Sequence, residues 1–471
     1  MLADWMTSER EQHTLEDRPD PEEDPAIAAA YTYLGQFTDH DLTFDPTSRL
    51  REALTDQQFD TLADFRTPRF DLDNLYGRGP DDQPYLYKDG VHMLLGKCMP
   101  GNSFDPDAHD LPRGPNNRAL IGDPRNDENR IVAQLHAIFL RFHNKVADYL
   151  AEHNPGGTVS FEEVRDQVRW HYQWMLVTDF LPKIINDDTY QRVFGEPYYP
   201  IPTLPELQDG LQLMPVEFSV AAFRFGHSMI RPEYQLNEKT PRRPIFLPED
   251  GDDTPDLRGF RLIPRDWAID WRFFIDLEPG AKPGPQKAYR IDTSLVNPLG
   301  HLPHQIVQGL QRSLALRNLM RGATFSLPTG QQVASALGEE PIPDDKLLIR
   351  KVIGEDQDEL KPIADIARGF AGHAPLWAYI LSEAQVNYRD KIDRGACPDR
   401  TSMTLGPVGG RIVADVFAAL LRGDPTSYLN RGVHYLNQGT PFIPIEDFAP
   451  SGEFGLAELI EVALRPLPRT C

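Results

Sequence analysis

No run of eighteen apolar residues occurs anywhere in the 471-residue sequence, so nothing in it reads as a membrane-spanning helix. The first residues, MLADWMTSEREQ, have neither a basic start nor an apolar stretch, and no secretory leader is legible. The compartment therefore stays open. Cysteine is scarce: Cys98, Cys397 and Cys471 are too few and too scattered for a disulfide framework or a zinc cluster. Basic residues are short too, 48 against 71 acidic ones, and a formal charge of -23 repels nucleic acid and anionic membrane surfaces. Neither is expected as a partner. Alternating, strand-like runs are few.

What is plentiful is proline and glycine, 43 and 34 residues, set among long apolar segments. That pattern implies a mainly α fold with little β, its helices joined by long ordered loops. Residues 1–25 are expected to be an acidic N-terminal arm, extended or mobile over 8–25, where proline and charge replace apolar residues. No linker divides the remainder, so residues 26–471 read as one domain. Ile27, Tyr31 and Leu34 place a short helix at its start. The clearest helix spans 129–153, with Val132, Leu135, Ile138, Phe139, Phe142 and Val146 on one stripe. Ser160 and Glu163 form a capping box before another. A third is expected from about Phe218 to Ile230, stopped by Pro232, and others near 305–322, 360–385 and 408–422.

Chemistry-bearing residues concentrate in GQFTDHDLTFD, residues 35–45. On a helix Gln36, Asp39 and His40 share a face, while Asp41 is turned about 100° away. A histidine there suits proton transfer near neutral pH. An acidic helix end with a solvated or core histidine reads equally well from this stretch alone. His227, in FRFGHSMI, shares a predicted helical face with Phe223 and Ile230, a setting for either a core histidine or an iron ligand. Arg125 and Glu128 stand in DPRNDENRIVAQLHAIFLRFHN, just before the long helix.

Together with LALRNLMRG (314–322) and LGPVGGRIVADVF (405–417), these segments, in this order, resemble the animal-type haem peroxidases of the peroxidase and cyclooxygenase superfamily. The likeness runs from about residue 30 to 425. It implies haem b, with His40 as the distal base that takes a proton from hydrogen peroxide and returns it to the departing oxygen. It implies Arg125 as the distal arginine, Gln36 over the iron, and His227 as the proximal axial ligand. Asp39 and Glu128 match the carboxylates that form ester bonds to haem in the family. A methionine after that glutamate makes a further link in some members; here Asn129 stands there, which excludes it. The expected donors are phenolics, bromide, iodide and thiocyanate rather than chloride, oxidised through an oxoferryl intermediate.

The resemblance also implies calcium, held by Asp41 and by the segment RTPRFDLDNLYG, with Thr67, Asp71 and Asp73 giving side chains and Thr67 and Arg69 carbonyls. Without that context the segment reads as a solvated acidic turn. On the proximal side the family has an asparagine accepting from the axial imidazole. Aligning the leucine-proline turn puts Gln331 there, with Gln332 or Asn318 as substitutes. Arg224 and Arg321 are candidates to pair with the haem propionates. His136 and His143, seven apart on one helix, mimic a metal pair but lack a third ligand at suitable spacing. Two other functions stay open. A fatty-acid dioxygenase of the same superfamily needs a tyrosine where Arg224 stands, and a non-enzymatic haem or calcium-binding protein would not need the distal set.

Overall fold

The computed structural model describes residues 1–9, 20–43, 66–195, 214–247, 256–280, 284–304, 306–307, 311–354, 357–430 and 442–465. Helices dominate them, as composition implied. The longest, Arg130–His153, starts where the Asn129 side-chain oxygen accepts from the amides of Ile131 and Val132 at 3.1 and 2.8 Å. Its apolar stripe is enclosed, Leu135, Phe139, Phe142 and Val146 exposing no surface. Against it lies the helix Ala30–Leu42, whose Phe37 stacks on Phe139 with centroids 4.4 Å apart. Contacts of this kind add about 1 kcal/mol to the burial of the rings. They fix the helix that carries His40.

Phe161–Met175 opens on the expected capping box, with Glu163 N donating to Ser160 Oγ at 3.3 Å and Ser160 N to the Glu163 carboxylate at 2.8 Å. It continues through a wider turn, Leu176–Phe180, into Leu181–Ile184. Pro182 accounts for the widening: its ring crowds the Thr178 carbonyl and it has no N–H to offer. Leu314–Thr324, Gly330–Ala336, Leu376–Asp393, Pro407–Gly423 and Leu456–Leu464 pack around this frame. Strands occur as three antiparallel pairs: Glu23–Ala28 with Lys287–Tyr289, Glu233–Tyr234 with Arg243–Pro244, and Leu348–Gly354 with Gln357–Pro362.

Five expectations need correcting. Part of the N-terminal arm is packed: Leu2–Trp5 is a helical turn, and Leu2, Ala3 and Met6 are buried because their side chains share one face. Glu23 pairs with Tyr289 ahead of the expected start at Ala26, while residues 10–19 lie outside the described residues. The helix expected from Phe218 to Ile230 is two pieces, Val216–Val220 and the tighter Ala222–His227, parted at Ala221 (φ -129°, ψ -66°). The segment 360–385 begins as a strand and becomes the helix Leu376–Asp393 only after Pro375. The helix expected near 305–322 starts at Leu314, where Ser313 caps it; residues 305 and 308–310 of that range lie outside the described residues.

Candidate functional site

A cavity of about 800 Å³ opens where Ala30–Leu42, the turn before Arg130 and the segment Ala222–His227 meet. Gln36, Asp39, His40 and Glu128 line it from the first two, Arg224 and His227 from the third. The tight turns of Ala222–His227 bring His227 to the wall, and Ser228 N closes the segment onto the Phe225 carbonyl at 3.1 Å.

His40 is buried, and a chain of side chains fixes its proton. Its Nδ1 lies 2.8 Å from Asn126 Oδ1, and Asn126 Nδ2 lies 3.0 Å from His136 Nδ1. An amide has one accepting and one donating end, so Nδ1 of His40 carries a hydrogen, and in the neutral ring the lone pair is on Nε2. That Nε2 is 3.5 Å from Glu128 Oε1. Gln36 donates to the same Glu128 oxygen and accepts from Asn129 Nδ2 at 2.9 Å. Asn129 thus caps the long helix and orients Gln36. Burial lowers the His136 pKa to about 3, which keeps that ring neutral and able to accept.

Arg125 does not line the cavity. Its guanidinium lies on Asp123, with Nη2 2.8 Å from Oδ2, and donates to the His40 carbonyl at 3.1 Å. Asp123 is fully buried and also pairs with Arg66, so its carboxyl, despite burial, is held down to about 2 by Arg125 first and Arg66 next. Arg66 reaches on to Asp73 at 2.9 Å. A line of ion pairs therefore connects Asp73 to the backbone of His40.

On the other wall, Asn318 Nδ2 donates to His227 Nδ1 at 2.8 Å, and Arg224 Nη1 donates to Asn318 Oδ1 at 3.4 Å. Burial, with the Arg224 charge behind it, lowers the His227 pKa to about 3, so the ring is neutral. The expectation for Gln331 fails. Its side chain accepts from Ala374 N at 3.0 Å and donates to Asp344 at 3.3 Å, because the capped helix Gly330–Ala336 turns it away from the cavity. Gln332 is occupied in that same cap. Asn318, buried on the inner face of Leu314–Thr324, takes the position. Arg321 does not line the cavity and lies over Phe325; Arg317, one turn earlier, lines it.

Asp41, Asp71 and Asp73 come together, with one carboxylate oxygen of each within 4.8 Å of the others. Both Asp41 oxygens are buried and accept no hydrogen bond among the described residues, the Tyr172 hydroxyl donating instead to Thr38 at 3.2 Å. Burial first, then the charges of Asp71 and Asp73, push the Asp41 carboxyl well above the usual range. Asp71 is raised to about 7 by burial and then by Asp73. Three desolvated carboxylates in contact suit a divalent cation, which would supply the missing partner. Thr67 and Arg69 flank the cluster in sequence, and the Thr67 carbonyl accepts from Arg69 N at 2.7 Å. His136 and His143 do not make a metal pair: His143 is held by the Tyr76 hydroxyl at 3.0 Å and the Val91 carbonyl at 2.8 Å.

Residues 66–250 match the family model for animal haem peroxidase. Over that stretch, about two fifths of its length, the chain is similar to animal haem peroxidases. Mouse thyroid peroxidase is 30% identical over 161 residues, which is 30% of this chain and 16% of that relative. The chain thus spans well under two thirds of such relatives' length. Among solved structures, peroxidase A from Dictyostelium discoideum superposes with a TM-score of 0.57 at 18% identity, over 96% of this chain and 88% of that one. A fatty acid alpha-dioxygenase from Oryza sativa gives 0.54 at 15% identity, over 98% and 75%. Both support a mainly α peroxidase-type fold. The similarity to animal haem peroxidases points to haem as the group to test against the cavity. The cavity fits it, being of cofactor size and lined by two histidines, apolar side chains such as Phe225, Met229 and Leu302, and both carboxylates and guanidiniums.

The sequence reading missed Asn126 and the role of Asn129. Both lie within the motif around Arg125 and Glu128, and asparagines packed that densely before a helix are the signal that was present.

Proposed function

We propose that the protein is a haem peroxidase that reduces hydrogen peroxide to water and oxidises small donors: phenolics, bromide, iodide or thiocyanate. The observation that carries this reading is that His40 and His227 open on one cavity, each with Nδ1 engaged by an asparagine amide. Nε2 of both rings is left for chemistry. We also take the chain as one domain that includes the strand Glu23–Ala28, with Leu2–Trp5 docked on it.

Haem, when bound, supplies the iron at which peroxide is reduced and donors are oxidised. His227 Nε2 would hold the iron, with the Asn318 amide turned over so that Oδ1 would accept from Nδ1–H and make the ring a stronger donor. His40 Nε2 accepts one proton of hydrogen peroxide and delivers it to the departing oxygen; its Nδ1–H stays on Asn126 throughout. Two electrons from the donors and two protons complete the conversion of one peroxide to two waters. Arg125 places positive charge beside His40, and Gln36 would order small polar ligands in the cavity. Asp39 and Glu128 are the carboxylates that would anchor the haem, and Arg224 would pair with one of its carboxylates. Calcium at Asp41, Asp71 and Asp73, with Thr67 and Arg69 carbonyls, holds the end of the helix next to His40.

Guaiacol and bromide oxidation by the haem-loaded parent, compared with His40→Ala, tests the reading. Loss of most activity in the variant is expected; equal rates indicate haem binding without catalysis. Arg224 in place of a tyrosine argues against fatty-acid dioxygenation, since a guanidinium cannot carry a phenoxyl radical. Oxygen uptake with an unsaturated fatty acid and no added peroxide would reverse that judgement.

A further inference from the structure

Two buried phenols line the cavity from the first turn of the helix Ala30–Leu42, and they are held in different ways. The Tyr33 hydroxyl is hydrogen-bonded to another phenol, that of Tyr234. Tyr31 instead donates to both oxygens of the Asp179 carboxylate, at 3.0 and 2.9 Å. Asp179 stands in the wider turn Leu176–Phe180, a kind of distortion frequent at functional sites. It accepts as well from Lys183 Nζ, and from Leu456 N at 2.9 Å, where the helix Leu456–Leu464 begins. Three donors converging on one carboxylate leave it an acceptor only.

The pair spans the wall. Tyr31 borders the cavity and is 5% exposed, whereas the side chains of Asp179 and Lys183 are 15% and 36% exposed. Lys183 Nζ also lies 4.8 Å from the centre of the Tyr31 ring. A phenylalanine would fill nearly the same volume without drawing a hydroxyl and a carboxylate out of water, so packing explains the ring but not the pair. Burial first and the Asp179 charge next raise the Tyr31 phenol far above its ordinary range, so the proton rests on the Tyr31 oxygen until an electron leaves. A phenol that has lost an electron is a strong acid, and Asp179 is in place to take its proton in the same step.

We propose that Tyr31 is a redox relay that carries oxidising equivalents from the cavity to the protein surface, where it serves one-electron donors too bulky to enter. Tyr31 gives one electron to peroxide-oxidised haem in the cavity, and its O–H bond breaks as the proton passes to Asp179. The phenoxyl radical then takes one electron from the donor and recovers the proton from Asp179. One cycle therefore moves one electron and no net proton. The relay rests on the peroxidase reading, and donors small enough to reach the cavity do not need it.

Electron paramagnetic resonance of the haem-loaded protein, freeze-quenched after peroxide, reads the radical directly, and ring-deuterated tyrosine identifies it as a phenoxyl. Oxidation of ferrocytochrome c, a basic protein suited to a chain of net charge -23, reads the relay, with iodide as the small donor. The parent is expected to show the phenoxyl signal and Tyr31→Phe to lose most of it. Tyr33→Phe, on the same wall but without a carboxylate partner, is expected to keep it. Tyr31→Phe is expected to slow ferrocytochrome c oxidation by about tenfold or more while changing iodide oxidation by less than about twofold. Asp179→Asn keeps the ring but removes the base, a contribution of about 10²–10⁴-fold, and is expected to slow ferrocytochrome c by about tenfold or more as well. A phenoxyl signal that Tyr31→Phe leaves unchanged overturns the proposal, as does ferrocytochrome c oxidation in that variant within about twofold of the parent. Either result in a protein that oxidises iodide removes the relay alone; a parent that oxidises no donor removes the peroxidase reading and the relay with it.

Discussion

Replacing Asn126 by leucine, close in size but without polar atoms, tests whether His40 works because its proton is fixed. Two contacts are lost, 2.8 Å to His40 Nδ1 and 3.0 Å to His136 Nδ1, and both rings are buried. Each stranded polar group costs about 1–3 kcal/mol, so stability is expected to fall by roughly 2–5 kcal/mol. The kinetic consequence is separate. Without Asn126 the His40 hydrogen is free to sit on Nε2, where it blocks proton acceptance, and the ring is free to turn. General acid–base catalysis contributes about 10²–10⁴-fold, and losing its positioning is expected to remove about 10–100-fold of that. Stopped-flow mixing of the haem-loaded protein with excess peroxide reads this step from the Soret change, at equal haem content. Asn126→Asp restores an acceptor for His40 and is expected to recover much of the rate. A leucine variant within twofold of the parent would refute the reasoning.

Chelation in thermal denaturation tests the carboxylate cluster: calcium at about a hundredfold excess over its Kd adds about 3 kcal/mol of stability. In metal-free protein Asp71 has a folded pKa of about 7 against 3.8, so its stabilising contribution is present below pH 3.8 and lost as pH rises through about 7. The calcium-dependent rise in Tm is therefore expected to be larger at pH 8 than at pH 5, and an equal rise would count against the site. Asn318→Leu is expected to raise the haem iron's reduction potential by removing the acceptor of the His227 hydrogen, while Gln331→Leu leaves it in place; spectroelectrochemistry distinguishes them. Glu383, fully enclosed, caps the helix Pro407–Gly423 through Val408 N and Gly409 N, and burial raises its pKa to about 7 from 4.5. Its contribution is present below pH 4.5 and lost as pH rises through about 7, about 3 kcal/mol in all, and urea titrations should show that loss disappear in Glu383→Gln. Acidified organic solvent is expected to leave colour on the parent polypeptide and release haem from the doubly substituted Asp39→Asn, Glu128→Gln protein.

Legibility followed periodicity and local chemistry. The spacing of Gln36, Asp39 and His40 on one turn, the stripe of Arg130–His153 and the Ser160 box are written in consecutive residues, and the structure holds them as written. Asn318 was harder, because the leucine-proline turn at 327–328 drew the proximal partner ten or more residues too far along. Its buried position one turn after Ala315, on the inner face of an amphipathic helix, is the better signal. The break at Ala221 left no mark in the apolar pattern, since a tight turn and an α-helix place Phe223 and His227 on similar faces. The hairpin Leu348–Gly354 with Gln357–Pro362 was missed because charged residues interrupt its apolar pattern, Lys351 standing opposite Glu359 and Arg350 donating to Asp358. Arg125 shows a different limit: its type and position were visible, but its engagement with Asp123 depends on a neighbour that no spacing rule identifies.

Locating the metal in crystals of the haem-loaded protein, by anomalous scattering at the iron edge, tests the central claim most directly. The expected result is one iron in the cavity, bonded to His227 Nε2, with its open side facing His40. Iron held by any other side chain, or a porphyrin seated so that position 40 cannot reach peroxide on the metal, would contradict it.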